Sequence, residues 1–171
     1  MFGAKKNLNK ESTIYAGVAL HLSAKTADDL KKEVGYTEQD STVIMLQVLT
    51  FCILNLIKTF AQQGVSVQKG REAIELILLE AAKTFAPDPS KVQDTYLTLN
   101  QTVNDWIQTY GKLPLGEKFG TEAGTLIWEY SKLMALTANK DKDVSVMMTF
   151  ASRIVNVNNA LETSNLIKAL K

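Results

Sequence analysis

The sequence predicts an all-α fold: one domain, residues 1–171, built as a bundle of five to six helices around an apolar central hairpin. Three observations carry that expectation. No stretch sustains apolar–polar alternation, and no Asn-Gly or Asp-Gly dipeptide marks a hairpin turn. Apolar residues recur instead at three- and four-residue spacing, which places them on one face of a helix. Capping residues and glycines then punctuate the chain. At 171 residues the chain can bury a sizeable core without disulfide staples.

The first helix is expected from about Lys10 to Val34, bending near Ser23 to Thr26 and ending at Gly35. Lys5, Lys6 and Lys10 ahead of "TIYAGVALHLSA" imitate an export leader. Glu11 and His21 interrupt it, and Leu22 stands where cleavage after Ala24 would need a small residue. We read this stretch as a helix from which nothing is removed, and expect a cytoplasmic protein.

A second helix opens at Asp40 or Ser41 and stops before Gly64. The third starts from Ser66 as its cap and is closed by Pro87; the fourth takes Asp88 as cap with Pro89 at its first position and ends at Gly111. Beyond "KLPLG" a fifth helix reaches about Ala138, and "NKDKD" separates it from a last one, roughly Val144 to Leu170. Seams at alternating spacings of four and three run through Val92, Tyr96, Leu99, Val103, Trp106 and Tyr110, and through Phe119, Ala123, Leu126, Tyr130, Leu133 and Thr137. Met147, Phe150, Ile154, Val157 and Leu161 draw a similar line. Such stripes pack helices at shallow angles.

The most apolar run is "STVIMLQVLTFCILNLI", residues 41–57. As a helix its seventeen residues span about 25 Å, short of a hydrocarbon layer of about 30 Å. Gln47, Asn55, Lys58 and Gln62 fall on one edge of that rod, which suits a bundle core better than lipid. About ten large side chains at roughly 1.5–3 kcal/mol each give on the order of 15–30 kcal/mol when buried. Ordering the backbone costs a similar amount, so an exposed copy would not hold its shape. The neighbouring "AIELILLEAAKTF" is nearly as apolar and completes the expected central hairpin around "QQGVS".

Chemistry-bearing residues are scarce. Nineteen basic and eighteen acidic residues leave a net charge of +1, and only Arg71 and Arg153 are arginines, so no field draws nucleic acid or anionic lipid. Cys52 is the only cysteine and reads as a small core hydrophobe. His21 has no second histidine to share a metal; its apolar neighbours suggest a neutral, hydrogen-bonded structural role. A Cys52–His21 nucleophile pair is disfavoured by the apolar setting of the thiol.

Glu72 and Glu75 form a Glu-x-x-Glu pair of the kind that holds magnesium in helical nucleotide hydrolases. The next helix offers only Gln101 and Asn104 opposite, and Glu129 stands alone, so both glutamates read as solvated. "GEKFGTEAG" spaces Gly116, Gly120 and Gly124 by four and reads as a loop entering a helix, with a tight packing ridge as the other reading.

The expectation is therefore a non-enzymatic protein that works through protein–protein interaction, as an adaptor, inhibitor or immunity-type partner. No catalytic, cofactor or metal residue is assigned. No nucleic acid or membrane is expected, and a homo-oligomer is compatible. The candidate contact residues are Trp106, Tyr110, Trp128 and Tyr130, aromatics of the anchor type on the two helices flanking the glycine loop. The first alternative is a binding module for a small apolar ligand, held between the central hairpin and these aromatic helices. A magnesium-dependent nucleotide hydrolase using Glu72 and Glu75 is the weaker one. Everything rests on the run 41–57 being core: Ile53→Asp is expected to abolish folding, and a soluble variant that still melts cooperatively would contradict it.

Overall fold

A computed structural model describes residues 2–116 and 122–171, with side chains from Asn7 onward. Its described residues form an all-α helical bundle without strands. Seven helices follow in order: α1 Phe2–Val34, α2 Glu38–Gln62, α3 Val67–Phe85, α4 Val92–Tyr110, α5 Leu126–Thr137, α6 Val144–Ala160 and α7 Ser164–Leu170. The count exceeds the expected five to six because the last helix divides. Backbone contacts gather the chain into two compact units, each built from several segments.

Most boundaries follow local signals. Ser66 accepts the Lys69 N–H and starts α3. Asp88 with Pro89 opens a single 3₁₀ turn, Pro89–Lys91, from which α4 continues to Gly111. Three boundaries differ from expectation. α1 begins at Phe2 and shows no break at Ser23–Thr26. The expected fifth helix begins only at Leu126, where Thr125 caps it and the Leu126 and Ile127 N–H groups donate to the Pro114 and Leu115 carbonyls at 2.7 and 3.1 Å. Ala123 is thus outside the helix, and Phe119 and Gly120 lie outside the described residues. Gly116 and Gly124 take φ values of +103° and +79°, which side-chain-bearing residues rarely adopt, so this is a loop and not a packing ridge at those two positions.

The last helix stops at Ala160. Asn158 and Asn159 are weak helix formers, and Leu161 turns the backbone to an extended conformation. α7 then restarts at Ser164, and its Leu166 and Leu170 are buried. That break coincides with the passage from one unit to the other.

The first unit comprises Met1–Leu20, Ile53–Gly111 and Glu162–Lys171. Ile53, Leu54, Leu56 and Phe60 of α2 form its apolar centre with Ala73, Ile77 and Leu78 of α3 and Leu99 and Val103 of α4. Gly70 leaves room for the Phe60 ring of α2, for a Cβ there would lie 3.2 Å from it. Two lysines close helix ends. Lys58 donates to the Gly111 carbonyl at 2.7 Å and Lys69 to the Leu170 carbonyl at 2.7 Å, each placing a cation on the negative end of a helix dipole. Burial shifts Lys58 below the ordinary lysine range.

The second unit comprises His21–Cys52 and Lys112–Leu161. Phe51 of α2 meets Tyr130 of α5 edge to face, with centroids 5.5 Å apart, and Phe150 and Ile154 of α6 are wholly buried. Gln47 donates to Thr137 at 2.8 Å, so the polar edge of α2 finds a partner here. In α5 the buried line runs through Leu126, Ile127, Tyr130, Ser131, Met134 and Ala135, whereas Leu133 and Thr137 are half-buried. The expected seam is therefore rotated by about one residue, because Tyr130 and Met134 both turn inward.

Among the described residues α2 alone is long and apolar enough to cross a membrane, and 67% of its most apolar window is buried. That burial fits the core helix of a soluble protein. The polar edge is structural as well: Lys58→Met should lower stability by about 1 kcal/mol, because α4 loses its charged C-terminal partner. A urea midpoint unchanged from the parent would show that the Lys58–Gly111 contact contributes nothing.

Candidate functional site

The residues with catalytic potential are dispersed. Cys52 is fully buried on α2, and burial pushes its thiol up to about 12, far from the thiolate form a nucleophile needs. His21 corrects the expectation of a core histidine. The buried line of α1 runs through Tyr15, Ala19, Ser23, Thr26 and Leu30, and His21 lies off that line, exposed beside Lys25. Its apolar sequence neighbours misled because on α1 even Ile14 and Val18 are partly exposed.

Glu72 and Glu75 are exposed on α3, in line with the solvated role expected of them. Of the groups considered for completing a metal shell, Gln101 hydrogen-bonds Asp105 at 2.7 Å and Glu129 pairs with Lys132 at 2.8 Å. Among the described residues no group of three or more His, Cys, Asp or Glu side chains is placed to hold a metal ion.

The four aromatic candidates divide between the units. Trp106 and Tyr110 are half-buried on α4 and pack edge to face, centroids 5.8 Å apart, in the first unit. Tyr130 is wholly buried against Phe51 in the second, and Trp128 is half-buried one turn into α5. Tyr130 is thus a core residue, and its partners are internal.

What the structure adds is a pair of grooves in the first unit. The larger, about 910 Å³, runs along α3. Leu76 and Leu79 of α3 form its floor together with Leu8 of α1 and Leu170 of α7, and Tyr96 of α4 forms a wall. Lys69, Glu72 and Glu75 stand on its rim. The Lys69 ammonium is already engaged by the carbonyls of Leu170 and Lys171, at 2.7 and 3.4 Å. Neither glutamate has an ion-pair partner among the described residues. Burial, and after it the Glu75 charge, raise Tyr96 above the usual phenol range.

The smaller groove, about 610 Å³, lies on the other flank of α3, between the α2–α3 hairpin and α4. Ile57, Phe60, Ile74, Val103 and Ile107 line its apolar side, and Arg71, Asn100 and Asn104 its polar one. It lies against the α2–α3 hairpin and α4, but none of Trp106, Tyr110, Trp128 and Tyr130 lines it.

No local pattern pointed to the larger groove. Its walls come from four helices that are far apart in the chain, and Leu76 and Leu79 are indistinguishable by pattern from the buried Ile77 and Leu78 beside them. The usable signal was Glu72 and Glu75, singled out for a metal and found on a groove rim. No family model, curated protein or solved structure matches this chain.

Proposed function

We propose that this chain is a non-enzymatic binding protein that acts through contact with another protein, and that the partner is seated in the groove along α3. One observation carries the reading: an open groove of about 910 Å³ with a leucine floor, rimmed by carboxylates that no described cation neutralises. Leaving such a surface uncovered keeps apolar area in water, and grooves of this kind in monomeric proteins mark contact sites. Glu72 and Glu75 serve here as recognition charges instead of metal ligands. The lone, buried thiol accords with a reducing compartment, and we place the protein in the cytoplasm.

The second reading, a small apolar ligand, is favoured by the groove between α2, α3 and α4. Its volume suits a small molecule, and large apolar side chains, Ile57, Phe60, Ile74, Val103 and Ile107 among them, line it. A native mass spectrum of gently purified protein showing only the apo mass would remove that reading. For the leading one, a photoreactive residue replaces Gln93, an exposed position on the larger groove, in the native host at endogenous levels. A discrete protein adduct is expected from position 93 and not from the exposed Met148 in the second unit. Adduct formation from neither position, or only from Met148, would refute the groove as the docking site.

A further inference from the structure

Resting on the docking reading above, we propose that the occupant of the α3 groove is an amphipathic helix bearing lysine or arginine beside its apolar face. The shape of the groove is the first argument. Lys69, Glu72, Leu76 and Leu79 follow one another along α3 at spacings of three, four and three, all on the groove side. At 1.5 Å per residue this line is about 15 Å long, close to three helical turns. The described residues that line it all belong to helices of the first unit, α1, α3, α4 and α7, so a rod-shaped occupant would lie among helices. An extended peptide gains its affinity by adding to a sheet edge, and the described residues contain no sheet. A helix laid beside α3 would set apolar residues at i, i+3 or i+4, and i+7 onto Leu76, Leu79 and Leu170.

Charge is the second argument. Lys69 is engaged by the carbonyls that end α7, and among the described residues Glu72 and Glu75 have no ion-pair partner, Glu72 accepting only from the neutral Gln68 amide at 3.5 Å. Glu72 precedes Leu76 and Glu75 precedes Leu79 by about one turn of α3, so their charges border the leucine floor and meet polar positions next to the apolar face of a docked helix. Lysine or arginine there gains two rim ion pairs, whereas glutamate or aspartate is repelled. The same sign argues against an anionic membrane surface as the occupant.

The test uses the full chain and two fluorescent synthetic peptides of about 14 residues, with identical leucine faces and polar faces made of lysine or of glutamate. Anisotropy titration should show the lysine peptide binding at least about tenfold more tightly at low salt, with the advantage shrinking as sodium chloride screens the rim. Glu72→Gln combined with Glu75→Gln, both at exposed positions that leave the core intact, should weaken the lysine peptide about three- to tenfold. The control Glu129→Gln in the second unit should not. Equal binding of both peptides, binding of neither, or no loss in the double variant would overturn the proposal. An adduct formed from position 93 in the same circumstances would leave the groove as a docking site for a partner of other chemistry, so the two failures are separable.

Discussion

The constraint on which this structure depends is the removal of α2 from water. Ile44, Val48, Phe51, Ile53, Leu54 and Leu56 are at most 2% exposed, and among the described helices no other is both so long and so apolar. A rod of that composition must be enclosed, and the enclosing helices have little freedom in how they do it. It serves both units, giving its first half to the one built with α5 and α6 and its second half to the one built with α3, α4 and α7. The other helices can afford a solvated face because α2 has almost none.

Polar groups on such a rod carry a corresponding demand, since an unanswered polar atom in the interior costs more than a hydrogen bond returns. Thr50 answers it locally by donating to the carbonyls of Leu46 and Gln47, and Thr59 by donating to that of Asn55. Gln47 and Lys58 reach other helices. These contacts fix the rotation of α2 about its own axis as well as its depth. The same device recurs at Lys69. By closing the end of α7, Lys69 withdraws its charge from the adjacent groove and leaves the rim acidic.

Much of the fold was legible in the sequence, and for physical reasons. Helix type follows from periodicity, and ends follow from groups that act within a few residues: the Ser66 and Asp88 caps, and the glycines after α1 and α2. Errors arose where local signals were absent or misleading. The division between α6 and α7 has no proline or glycine to announce it; only the demand that Leu166 and Leu170 reach the core decides it. In α5 the apolar residues are too many to define one stripe, so packing of Tyr130 against Phe51 chose the rotation. For His21, neighbours in sequence were apolar but lay on the exposed side of a long helix.

By itself the sequence determined the helical class, the core status of residues 41–57 and the scarcity of reactive groups, because composition and short-range spacing settle those. Only the tertiary structure decided which leucines face outward, where Lys69 spends its charge, and that Glu72 and Glu75 border an apolar groove. A groove is a relation between surfaces that belong to different helices. Residues 8, 76, 96 and 170 share it only after the chain has folded, and no window of sequence contains them together.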